Sequence, residues 1–97
     1  MPNVWIINKG EHSYESAEAY GDLKEITNGR VNIFQTDNLK AKIATALAEA
    51  TKEDFLLLSG SIIPNALAIH HMIQANGFVK CLVWMGNQNQ YKTVTLK

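Results

Sequence analysis

Asp54-Phe55-Leu56-Leu57-Leu58-Ser59-Gly60-Ser61 is the stretch that decides the fold of this chain. Four apolar residues in succession leave no polar face, so a strand over residues 54–60 must be covered on both sides. Val4-Trp5-Ile6-Ile7 repeats the pattern near the N-terminus and gives a strand over residues 3–8. Each run ends in a polar loop: Ser59-Gly60-Ser61 in one case, Asn8-Lys9-Gly10-Glu11-His12 in the other. In an open α/β sheet, loops at the carboxyl ends of such strands border the crevice where ligands bind. A place for a site is therefore readable before its chemistry is.

Outward from Ser61, the residues spell a helix. Ser61 is positioned as its cap, Pro64 falls in the first turn, where a missing N–H costs nothing, and Gly77 stops it after about Asn76. Ile62, Ile63, Ala66, Leu67, Ala68, Ile69, Met72 and Ile73 make it apolar around most of its circumference, which requires burial on more than one side. Part of it is expected at a subunit interface, and a homo-oligomer follows from that expectation. Upstream, Leu39, Ile43, Ala46, Leu47 and Ala50 form one stripe of an amphipathic helix, with Lys40, Lys42, Glu49 and Lys52 facing water. Thr36-Asp37-Asn38 offers its caps.

Ser13 caps a short helix over residues 14–20, closed by Gly21, with Tyr14, Ala17 and Tyr20 spaced to face the sheet. Residues 23–27 read as a second strand stopped by Asn28-Gly29, and residues 31–35 as either a third short strand or an ordered loop. Residues 78–85 form another strand apolar on both faces, and Gly86-Asn87-Gln88-Asn89-Gln90 turns the chain into an edge strand over residues 91–96. Strands alternating with helices imply parallel pairing through right-handed crossovers. The expected fold is a compact three-layer α/β sandwich: one domain over residues 1–97, a mainly parallel sheet with helices on both faces, and a C-terminal antiparallel edge hairpin.

Composition narrows the function. The 97 residues are 46% apolar and 19% charged, the make-up of an ordinary globular protein. Nine basic and nine acidic residues cancel, with no concentrated basic face, which argues against a nucleic-acid polymer as partner. A neutral surface resists self-association weakly. The single cysteine, Cys81, excludes an internal disulfide and a cysteine-based zinc site, and its setting in Val79-Lys80-Cys81-Leu82-Val83 reads as a buried, inert thiol. Met1-Pro2-Asn3-Val4 begins no charged leader, and no run approaches the roughly 20 apolar residues that cross a bilayer. A cytoplasmic protein without membrane attachment is expected.

The chemistry lies in the loops. A glycine between two serines at a helix start lets a ligand approach the backbone, where free N–H groups and the helix dipole attract phosphate or carboxylate. Asn65, one turn in, adds an amide. The bland alternative has Ser59 and Ser61 as caps and Gly60 serving the turn; neither a P-loop lysine nor three spaced glycines are present. In the first loop, Asn8, Lys9, Gly10 and His12 supply donors and acceptors, with Lys9 to offset negative charge and His12 as the sole candidate for proton transfer. Arg30, after the Asn28-Gly29 turn with Asn32 beside it, is expected at the same sheet end and brings a planar fork for an anion. The expected ligand contacts are thus Asn8, Lys9, Gly10, His12, Arg30, Ser59, Gly60, Ser61 and Asn65.

Other residues carry less. His70 and His71 are adjacent on a helix and point about 100° apart, so they do not share a metal ion. Trp5 and Trp84 read as core, while Tyr14 and Tyr20 either line the crevice or pack on the sheet. Asp22, Asp37, Asp54 and the glutamates read as caps, turn residues or exposed faces. No Ser-His-Asp set, carboxylate pair, metal or cofactor is indicated.

Three segments together resemble a family of small, uncharacterised bacteriophage-encoded α/β proteins. They are Asn8 to His12 with Tyr14, Ala17 and Tyr20-Gly21; Leu23 through Ile26 to Asn32; and Asp54 to Gly60 with Asn65-Ala66-Leu67-Ala68. The resemblance brings no activity and no catalytic residue. What it implies is context: small, neutral phage proteins often counter host defence. The leading expectation is a non-catalytic protein that binds a small anionic, nucleotide-like ligand and sequesters a host signal. A protein inhibitor of a host defence protein and a small phosphodiester hydrolase using His12 are the alternatives.

Overall fold

Five strands make one sheet in the order β2-β1-β3-β4-β5. They are β1 (Asn3–Lys9), β2 (Asp22–Asn28), β3 (Phe55–Leu57), β4 (Val79–Met85) and β5 (Gln90–Leu96). The computed structural model describes residues 1–11 and 13–97. β1 pairs in parallel with β2 and with β3, β3 pairs in parallel with β4, and β5 closes the edge antiparallel to β4. A 3-10 helix (Glu15–Tyr20) connects β1 to β2; α1 (Thr36–Leu47) and α2 (Ile62–Asn76) make the other two crossovers.

The layers follow from the apolar runs. On β1, Trp5 and Ile7 join Ile26, Leu56, Val79 and Cys81 beneath Ile43 and Leu47 of α1 and Ala68 and Met72 of α2. Val4 and Ile6 point the other way, with Leu57 and Leu82, beneath Tyr14 and Ala17 and beside Tyr91. Burial of each such side chain contributes about 1.5–3 kcal/mol. Both α-helices therefore lie on one face and the 3-10 helix covers the other, an α/β sandwich with a C-terminal antiparallel hairpin as expected. Burial pushes the Cys81 thiol up to about 11, so thiolate is scarce at neutral pH and the side chain behaves as a small apolar group.

Local chemistry decides the boundaries. Gly77 adopts the left-handed conformation (φ 86°) and its N–H reaches Ile73 O at 2.7 Å, closing α2 where expected. Residues 31–35 form an ordered loop: the Asn32 side chain accepts from Phe34 N at 3.0 Å, a local bond that competes with strand pairing. The apolar stripe of α1 extends to Ala50, but the helix stops at Leu47 because the chain must descend to β3. Asp54 receives Thr51 N at 3.1 Å there, and Ala50 still packs on the core. The expected side-chain N-caps of the two α-helices do not form, whereas Ser13 Oγ accepts from Glu15 N at 3.2 Å at the start of the 3-10 helix. Thr36 lies inside α1 after Gln35, and neither α1 nor α2 has a side-chain hydrogen bond at its N-cap. Trp5 is core, as expected, whereas Trp84 is 44% exposed. It lies on β4 beside the edge strand β5, and the 3-10 helix reaches the hairpin only as far as Tyr91, where the Tyr20 hydroxyl donates to Tyr91 O at 3.2 Å.

Candidate functional site

Strand order reverses between β1 and β3: the chain leaves β1 toward β2 on one side and returns to β3 on the other. Loops at the carboxyl ends of such a pair diverge and leave a crevice. Here they are stitched together. Asn8 N donates to Ser59 Oγ at 3.2 Å, and the Asn8 side chain lies directly over Gly60. A Cβ on Gly60 would fall 2.8 Å from Asn8 Cβ and 2.9 Å from its Cγ, and the backbone there is left-handed (φ 71°). Glycine is required on both counts. The Thr27 hydroxyl, 2.7 Å from Ile7 O and 3.0 Å from Asn8 Oδ1, fixes Asn8 from the β2 side.

Asn65 organises the turn between β3 and α2. Its Oδ1 accepts from Ser59 N at 3.0 Å, and its Nδ2 donates to Ser59 O at 2.7 Å and to Ser61 O. One side chain thus stands in for the backbone partners a sharp turn lacks. Asn8, Ser59, Gly60, Ser61 and Asn65 are brought together, but the two amides are engaged by the protein itself. Gly10 is close by, its N–H donating to the Tyr14 hydroxyl at 2.8 Å.

The remaining expected contacts lie elsewhere. Lys9 pairs with Glu25 at 3.6 Å across β1 and β2, both side chains nearly half exposed. It lines an open groove of about 720 Å³ whose charged residues are Lys9, Lys24, Glu11, Glu15, Glu18 and Glu25. Arg30 lines a separate cleft of about 220 Å³ with Asn32, Gln35, Asn38 and Lys42. His12 lies outside the described residues. His70 and His71 line a groove between α1 and α2 with Lys40, away from all of these.

A cavity of about 460 Å³ opens against the Ser59-Gly60 turn. Leu57, Leu58, Ser59 and Gly60 form one side, Ser13 and Tyr14 the second, and Trp84 and Tyr91 the third. Trp84 and Tyr91 are cross-strand partners in the β4–β5 register, their rings edge to face with centroids 4.9 Å apart and planes at 63°. Such pairs contribute about 0.5–1.5 kcal/mol beyond their burial. Burial, with the Tyr14 phenol adding to it, holds the Tyr91 hydroxyl above its ordinary range, so it stays neutral and able to donate. Among the described residues, the lining contains no carboxylate, amine, imidazole or thiol. This arrangement can hold an uncharged planar group between rings, with serine and tyrosine residues and backbone at its rim.

Trp84 and Tyr91 escaped the sequence reading as site residues. Counting outward from the turn after Met85 sets Trp84 opposite Tyr91, and that was the available signal. Nothing local indicated that Trp84 stays 44% exposed while Tyr91 beside it is buried.

A family model described as phage Pam3 gp32-like protein matches residues 2–97. The resemblance to phage-encoded proteins is thereby borne out. No curated protein and no solved structure matches the chain.

Proposed function

We propose that this chain, which belongs to the family of phage Pam3 gp32-like proteins, holds a small nucleotide-like anion without turning it over. The observation that carries this reading is the 460 Å³ cavity seated against the Ser59-Gly60 turn, at the point where strand order reverses. The charged end of the ligand is assigned to the backbone of Gly60 and Ser61 and the positive end of the α2 dipole. Lys9 is the nearest expected cation in sequence to the Asn8–Ser59 junction. Its surface ion pair with Glu25 is worth little and costs little to redirect. Arg30, in its own cleft, is not part of this site.

In an infected cell, in the host cytoplasm, such a protein would lower the free concentration of a defence signal by holding it. Self-association belongs to the same proposal. Ile62, Ala66, Ile69 and Ile73 of α2 follow one another at helical spacing, with Ile62 77% exposed and Ala66 exposed, and a second copy covers them. Light scattering then gives a mass that is a multiple of 10.8 kDa, and Ile62→Glu lowers it; a wild-type monomer at high concentration removes that part.

Thermal denaturation against a panel of mononucleotides and cyclic nucleotides tests the binding. At a concentration 100 times its Kd, a ligand stabilises the fold by about 2.7 kcal/mol, and chromatography should return it unchanged. A flat melting temperature across the panel up to millimolar concentration defeats the reading. Recovery of a cleaved product replaces it with hydrolysis.

A further inference from the structure

We propose that the cavity between Tyr14 and the β4–β5 hairpin receives a neutral, planar heteroaromatic ring, packed against the Trp84 indole. This inference rests on the binding function above and names the part of the ligand that would provide most of the contact. Four observations carry it. The volume, about 460 Å³, lies within the range of small-molecule sites. Three of its lining residues are aromatic, and rings prefer offset or edge-to-face partners over aliphatic surroundings. Trp84 is left 44% exposed at this cavity although it belongs to a strand otherwise built for the core. A ring lying on it would bury the remaining indole surface, and every nucleobase has such a face. Finally, no charged side chain among the described residues lines the cavity, whose polar side chains are those of Ser13, Ser59, Tyr14 and Tyr91; the Ser13, Ser59 and Tyr14 hydroxyls each also take a backbone N–H of the protein. These suit the donors and acceptors on a ring edge better than a phosphate.

The neighbouring groove fixes a direction. It shares Ser13 and Tyr14 with the cavity, but carries four glutamates against two lysines. A phosphate attached to the ring is repelled from that side and leaves past Ser59 and Gly60, toward the start of α2. Selectivity is therefore expected to favour nucleosides and singly phosphorylated nucleotides over longer phosphate chains.

Calorimetric titration of the full chain with adenosine, guanosine, their 5′-monophosphates and inorganic phosphate tests the inference, using the wild type, Trp84→Phe and Trp84→Ala. At least one nucleoside or monophosphate should bind. Trp84→Ala should weaken it about 5- to 150-fold, the effect of losing one base–aromatic stack, while Trp84→Phe retains most of the affinity. Urea unfolding of each variant shows whether it is folded; if the alanine variant is not, Trp84→Leu, which keeps an apolar side chain without a ring, is read instead, a loss of about 5-fold or more supporting the inference and unchanged affinity overturning it. A monophosphate held equally well by wild type and folded Trp84→Ala overturns the inference and leaves the binding function standing. Nucleosides that bind as tightly as their monophosphates support the inference and remove the anionic part of that function. Absence of binding by all five probes overturns the inference, and the binding function falls with it when the mononucleotide and cyclic-nucleotide panel also leaves the melting temperature unchanged.

Discussion

Asp54→Ala should lower the free energy of unfolding by about 3 kcal/mol, because this one carboxylate accepts four hydrogen bonds from three residues, two on β1 and one beside β3. Oδ1 takes Asn3 N at 3.0 Å and Thr51 Oγ1 at 3.2 Å; Oδ2 takes the Trp5 indole Nε1 at 3.0 Å and Thr51 N at 3.1 Å. Asp54 is only 3% exposed and Trp5 5%, so alanine strands an indole N–H with no water to replace the lost acceptor. Each buried donor left without a partner costs about 1–3 kcal/mol. For a chain of this length the loss appears as a melting point lower by roughly 12–24 °C. Asp54→Asn should cost less, since one oxygen remains to accept, but its NH₂ faces donors on the other side. Equilibrium unfolding in urea separates the three proteins by midpoint at similar slope.

The same carboxylate predicts a pH dependence. Burial raises its pKa, but the bonds from Asn3, Trp5 and Thr51 lower it further, so the folded value lies below the ordinary one. A depressed folded pKa means stability that is fully present above the unfolded value of about 3.9 and is lost as pH falls through the folded value. The gap in stability between wild type and Asp54→Asn should therefore be constant from neutral pH down to about 5 and narrow below about 4. A gap that stays unchanged at low pH would show that charge on Asp54 plays no part.

Asp54 also shows where the sequence stops being informative. Beside a strand start it has the appearance of a cap or turn residue, and its role depends on an indole 49 positions away. The apolar runs behaved differently. Val4 to Ile7 and Phe55 to Leu58 announce two-sided burial in themselves, and both strands sit inside the sheet with helical layers on either face. Gly77 announces a helix end because only the local backbone conformation is at stake. The loop residues fall between these cases. Neighbouring strands bring Asn8 and Ser59 together, which the parallel order already implied. Whether their side chains point outward for a ligand or inward for each other depends on Gly60, Thr27 and Asn65 jointly. Arg30 misled for a related reason. It follows β2 at the correct end of the sheet, yet lines a cleft with Gln35 and Lys42 rather than the one beside Gly60.

Asn65 has the second large expected effect, and the sign of its pH dependence is opposite to that of Asp54. Asn65→Ala removes three hydrogen bonds from the turn that presents Gly60 and leaves Ser59 N, Ser59 O and Ser61 O seeking partners in a half-buried setting. A loss of about 2–3 kcal/mol is expected, together with loss of ligand affinity, since the cavity rim is part of the same turn. Asn65→Asp is the sharper variant. At neutral pH its Oδ1 still accepts from Ser59 N, but a carboxylate oxygen then replaces the NH₂ group and faces two carbonyls. The variant should be no more stable than Asn65→Ala, and its carboxyl should titrate above the ordinary value because only the protonated form donates. A raised folded pKa confers stability that is present below the unfolded value and disappears as pH rises through the folded one. Asn65→Asp should accordingly gain on Asn65→Ala as pH falls from 7 toward 4, both measured by urea unfolding, with the Ala variant cancelling the contribution of Asp54 at each pH. If the two variants keep the same difference throughout, the amide does not donate to Ser59 and Ser61, and the turn is held by its backbone alone.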